Sequence, residues 1–242
     1  MNKVMTGLVI GLMMVGSALA TETNSMEAIQ TLFNSSQKSY CAGKIVEAQV
    51  GFEKVLIDCP KEETTLLALS QMYIGYCLFY NSSAGAKAQA QVAFEKVIKN
   101  YPTVSIDRFL AIAQLYIGYS LLAQDKQDEA QIAFAKVQKD YPNTLPVTLA
   151  NSQRHLGLSL QKQGKLVEAN RVFMQCVESY IRQLGADTDQ SLMWQIFNLI
   201  DPKFLTADEY KVFIEKVILV TKAQSNNAAF LGYMKSELEK MK

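Results

Sequence analysis

From Gln114 to Pro142 the chain reads QLYIGYSLLAQDKQDEAQIAFAKVQKDYP, two runs with apolar residues at helical spacing on either side of a polar stretch. This predicts two helices joined by a turn. Gly118 lies on the first helix, Ala130 and Phe134 stand four apart on the second, and Pro142 closes it. The pattern recurs. AGKIVEAQVGFEKVLIDCP has Gly43 at its turn, then Ala48, Phe52 and Pro60, while MYIGYCLFY is followed by Ala90, Phe94 and Pro102. HLGLSLQKQGKLVEANRVFMQCVESY carries Gly157, Gly164, Ala169 and Phe173, and its QGKLVEA nearly repeats AGKIVEA. Ile181 replaces the closing proline of this last unit. Without that breaker the helix is expected to run on.

The units span about 29–62, 68–104, 111–144 and 150–183, with Ala-to-Ala steps of 42, 40 and 39 residues. Gly75 to Ala90 is fifteen residues where the third and fourth units have twelve, so NSSAGAKAQ is expected to form a turn lengthened by three. Ser25 is the expected cap of a helix running from MEAIQTLF toward Tyr40, weakened in its second half by NSSQKS. After Tyr180 the pattern fades. IRQLGADTDQ reads as a turn region, and SLMWQIFNLI as a short apolar stretch with the single Trp. Thr206 and Glu209 have the spacing of a capping box for a helix from Ala207. A last helix, 227–241, places Phe230, Leu231, Met234, Leu238 and Met241 on one face. A stack of repeats leaves an apolar end that must be covered, so residues 185–242 are expected to form a C-terminal helical cap.

At the other end, MNKVMTGLVIGLMMVGSALA combines a cationic start at Lys3, an apolar run from Leu8 to Val15 and small residues at Ala18 and Ala20. That is the pattern of a secretory signal peptide, residues 1–20, cut after Ala20. The expected localisation is therefore periplasmic or secreted, with no membrane insertion after cleavage.

The offsets of glycine, Ala-x3-Phe and proline resemble the tetratricopeptide repeat. The YP and YPNT endings and the lengthened first helices resemble its bacterial periplasmic and outer-membrane-assembly branch. The resemblance implies an all-α fold, an α-α superhelix with capping helices, in which Gly and Ala allow close helix approach and Phe fills the gap. It also implies a scaffold that binds a protein or peptide on the concave surface lined by first helices. Projecting that frame puts Met72, Tyr76, Leu115, Tyr119, Arg154 and Leu158 on the binding face. Tyr73 and Tyr116 are expected to pack between helices. The Lys, Asn and Arg clamp by which some relatives hold a C-terminal carboxylate is not reproduced, and no cysteine follows the signal for lipid attachment.

Composition narrows the job further. The chain has 242 residues, 49% hydrophobic and 19% charged, with 24 basic against 23 acidic residues. Loss of the first twenty residues brings the balance to zero, which leaves no electrostatic reach for nucleic acid. Glycine-rich phosphate loops, GxSxG and HExxH are missing from the sequence, so no catalytic residue, cofactor or metal site is expected. His155, the single histidine, is expected to be packed or to face the groove. Of the four cysteines, Cys176 falls on the inner face of a second helix as a buried free thiol. Stacking of neighbouring repeats would bring Cys41 and Cys77 together, so a disulfide between them is a further expectation. Two roles follow from the whole: a scaffold recruiting a partner to an envelope assembly or maintenance machine, or a self-associating structural subunit docked through its C-terminal helices.

Overall fold

The computed structural model describes residues 25–102, 107–184, 190–222 and 228–241. The expected signal segment, 1–20, lies outside them. Among the described residues the structure is all-α, with no strand. The chain forms two compact units, Met1–Val104 and Ser105–Lys242.

The first unit holds α1 (25–41), α2 (Ile45–Asp58), α3 (Thr64–Tyr80) and α4 (Ala86–Asn100). α3 packs on both α2 and α4. α1 runs unbroken through NSSQKS, because the hydroxyls of Ser35 and Ser36 donate back to the Leu32 carbonyl, satisfying themselves within the helix. Ser25, expected as its cap, is already helical. The lengthened turn after α3 is tied by Lys87. Its ammonium donates to the carbonyls of Phe79 and Asn81 and lies 4.8 Å from the Phe79 ring centroid, a cation at the carbonyl end of a helix.

The second unit continues with α5 (Asp107–Leu122), α6 (Gln127–Asp140), α7 (Pro146–Lys162) and α8 (Leu166–Leu184). Then come α9 (Gln190–Phe197), a 3-10 turn (Pro202–Phe204), α10 (Ala207–Lys222) and α11 (Ala228–Glu239). α5 with α6, α6 with α7 and α7 with α8 make successive contacts, while α9 and α10 pack on α8 and α11 on α10. With Ile181 buried in place of a proline, α8 runs on for 19 residues against 14 in α6. IRQL, expected as turn, is therefore the last part of that helix.

One device recurs in the hairpins. Ala48, Ala90, Ala130 and Ala169 are buried, and four residues on Phe52, Phe94, Phe134 and Phe173 have no exposure. A Cβ on Gly75, Gly118 or Gly157 would come closer than 3.0 Å to the Phe ring of its own hairpin. Glycine is thus the socket for the ring. In the first hairpin, sixteen residues before Phe52, the socket position is Ser36, and Gly51 lies against it instead. The turns share a left-handed residue, Gly43, Gly85 and Gly164 with φ of 76°, 78° and 75°, whereas the third turn uses Asp125 at 65°.

The C-terminal helices are joined to α8 by apolar and polar contacts. Met193, Ile196, Phe197, Phe213, Ile214, Val217, Phe230 and Met234 bury themselves in one cluster with Phe173 and Tyr180. Trp194 meets Phe230 edge-on at 4.9 Å. The capping box forms as expected: Thr206 N–H donates to Glu209 Oε2 at 2.9 Å and Glu209 N–H to Thr206 Oγ1 at 3.1 Å. Arg171 of α8 adds a 2.8 Å bond to Glu209. The Thr206 backbone N–H, followed by Arg171, holds the Glu209 carboxyl down to about 2.

All four cysteines are free, and the expected Cys41–Cys77 bridge is not formed. Cys77 points into the core of α3 with no exposure, while Cys41 ends α1 in solvent. Burial pushes the Cys77 thiol up to about 11 and the Cys176 thiol up to about 12. Cys176 fills the slot that Val55, Val97 and Val137 fill in the other second helices, and its thiol lies 3.5 Å from the Ala150 carbonyl.

Candidate functional site

The first helices position the predicted binding side chains relative to the glycine socket. Three residues before it stand Met72, Leu115 and Arg154; one after it stand Tyr76, Tyr119 and Leu158. Those six positions have unequal access. Met72 is 2% and Leu115 6% exposed, which leaves little of either for a partner to touch. Tyr76, Tyr119, Arg154 and Leu158 are half-buried.

In the first unit Tyr76 leans edge-on against Phe94 at 5.5 Å, and Tyr40 and Tyr73 close round it at 6.4 Å and 5.9 Å. Burial, then the neighbouring Tyr40, pushes its hydroxyl above the ordinary phenol range. Tyr73 stacks on Phe52 at 4.7 Å and 13° and takes a 2.9 Å hydrogen bond from Gln37 Nε2. It is a packing residue between hairpins, as expected.

In the second unit Tyr119 leans on Phe134 at 5.6 Å and 61°, the same geometry as Tyr76 on Phe94, and contacts Tyr116 at 5.4 Å. Here a histidine joins the group. His155 stacks on Phe134 at 5.3 Å and 25° and meets Tyr119 edge-on at 4.8 Å. Arg154 turns Nη1 toward His155 Nε2 at 3.3 Å, and its Nε is buried without an acceptor. Burial, reinforced by Arg154, lowers His155 to about 4.

Of the predicted residues, the structure thus brings Tyr119 and Arg154 together, around His155. Leu158 packs one helical turn further along α7, against the cluster that the C-terminal helices complete. Sequence reasoning did not assign His155 to this joint. The signal was available: it stands two residues before Gly157, as Tyr73 and Tyr116 stand before Gly75 and Gly118.

The Cys176 thiol is buried with its pKa raised, which disfavours the reactive thiolate. Among the described residues no group of three His, Cys, Asp or Glu side chains is placed to hold a metal ion. No described helix is long and apolar enough to cross a membrane. What the group offers chemically is aromatic area, a cation and an apolar side chain.

A family model of the tetratricopeptide repeat matches residues 69–103 and 112–144. No curated protein matches the chain. Among solved structures the chain is similar to one described as "MamA RS-1 ArsTM double mutant", at 17% identity and a TM-score of 0.49, covering 82% of this chain and 97% of that one.

Proposed function

We propose that this chain, whose residues 69–103 and 112–144 are tetratricopeptide repeats, is a scaffold that binds a protein partner in the cell envelope. The observation that carries the reading is the half-buried set on α5 and α7, Tyr119, Arg154 and Leu158. Tyr offers apolar area with a polar tip and few rotamers, and Arg pairs with carboxylates through two parallel bonds. Among the described residues Arg154 makes no ion pair within the chain, so an acidic side chain of a partner would be its first. The envelope location is supported by the signal-like pattern of residues 1–20, and the mature chain would begin at Thr21. Neither enzymatic chemistry nor a cofactor has a place in this reading.

The test is capture from an envelope fraction by the mature chain and by its Arg154→Glu variant, with helicity checked by circular dichroism. A folded variant that loses a partner held by the wild type supports the reading. Retention of that partner by the folded variant would overturn it. The second reading, docking through the C-terminal helices, draws on Leu219 at 72% and Val212 at 47% exposure on α10, with half-open Tyr233 on α11. Leu219→Lys would abolish the same capture if that reading holds.

A further inference from the structure

His155 touches both helices of the hairpin before it, Phe134 on α6 face to face and Tyr119 on α5 edge-on. Its third neighbour fixes its protonation. A guanidinium has donors only, so the 3.3 Å approach of Arg154 Nη1 requires a lone pair on Nε2 and puts the ring's one proton on Nδ1. A second proton would turn that acceptor into a donor facing a donor and set two cations side by side.

Among the described residues the ring's neighbours include no carboxylate for an imidazolium to pair with. α7 presents Arg154, α5 presents Tyr119 with Tyr116 packed against it, and α6 presents the Phe134 ring. α8 presents Cys176, a buried thiol beside Arg154 and close to the Ala150 carbonyl. No carboxylate among the described residues lies within ion-pairing distance of the ring. In the equivalent position of the earlier hairpins stand Tyr73 and Tyr116, which keep an aromatic ring there.

We propose that His155 is an acid-sensitive joint: protonating its ring breaks the contact with Arg154 and loosens α7 from the α5–α6 hairpin. The joint stands whether or not a partner docks on Tyr119 and Arg154.

The sign follows from linkage. Burial and Arg154 lower the folded ring from 6.5 to about 4, so between those values the unfolded chain binds the proton more tightly. Stability is complete above about 6.5 and falls as the pH drops toward 4, by up to about tenfold in the folding equilibrium per pH unit. With one histidine in the chain, its ring signals in the mature protein are read by NMR against pH, beside melting curves of wild type and His155→Tyr. The proposal expects a ring still neutral at pH 5.5, a wild-type melting temperature falling by roughly 3 °C per unit below pH 6.5, and a flatter profile for His155→Tyr. A ring that titrates at 6.5 or above overturns it, as do parallel pH profiles of the two proteins. Should His155→Tyr fail to fold at pH 7.5, His155→Gln takes its place in the melting series, and the wild-type titration decides by itself.

Discussion

The first hairpin and the three that follow solve the same packing problem with the small residues exchanged. In the later hairpins the first helix supplies a glycine, Gly75, Gly118 or Gly157, and the second helix carries Ala93, Ala133 or Val172 just before its phenylalanine. In the first hairpin the first helix supplies Ser36, and the residue before Phe52 is Gly51. A Cβ on Gly51 would come closer than 3.0 Å to the Ser36 hydroxyl. What recurs from hairpin to hairpin is therefore a glycine at the crossing, on the first helix in the later three and on the second in the first.

The largest effects are expected where the ring has only glycine to face. Gly118→Ala and Gly157→Ala push a methyl into a ring with no exposure, and Ala130→Leu forces the neighbouring crossing apart. Each should cost on the order of 1 to 3 kcal/mol, read as a lowered midpoint in urea. Unchanged midpoints would show the glycines to be mere helix weaknesses. For a helix without the ring, glycine to alanine is a gain of about 0.5 to 1 kcal/mol, the opposite sign.

A smaller effect is expected at the turns. Asp125 adopts a left-handed backbone where the other three hairpins have glycine. Aspartate tolerates that region, and Gln127 Nε2 lies 3.5 Å from its carboxylate, so Asp125→Gly should raise stability by no more than about 1 kcal/mol. A fall in the melting temperature of that variant would show that the carboxylate contributes more than the backbone strain removes.

Much of the architecture was legible because its signals are local. Ala and Phe four apart on a second helix, a glycine socket on the first and the Thr206–Glu209 capping box each lie within one or two turns of helix. The absence of a breaker at Ile181 was equally readable. What escaped depended on contacts between elements. NSSQKS looked helix-weakening by propensity, yet the Leu32 carbonyl and the crossing at Gly51 hold Ser36 in a continuous helix. The same spacing that put Met72 and Leu115 on a binding face leaves them buried, while Arg154 at the equivalent position in α7 keeps some access. Cys41 and Cys77 were near enough in the repeat frame to suggest a bridge, but one side chain points into the core and the other to solvent. His155 was legible by position, in the register of Tyr73 and Tyr116, and illegible by role, since only the ring geometry shows it stacked on Phe134 and edge-on to Tyr119.

Whether either helix can supply the glycine at a crossing is read from a double-mutant cycle at Ser36 and Gly51 followed by urea denaturation. Gly51→Ala alone should cost about 1 to 3 kcal/mol through its clash with the Ser36 side chain. Ser36→Gly alone should cost about 0.5 to 1 kcal/mol in helix entropy. The double variant, which recreates the arrangement of Gly118 and Ala133, should be more stable than Gly51→Ala alone, with a coupling of at least about 1 kcal/mol. Additive losses, leaving the double variant the least stable of the set, would show that the two positions do not share one crossing.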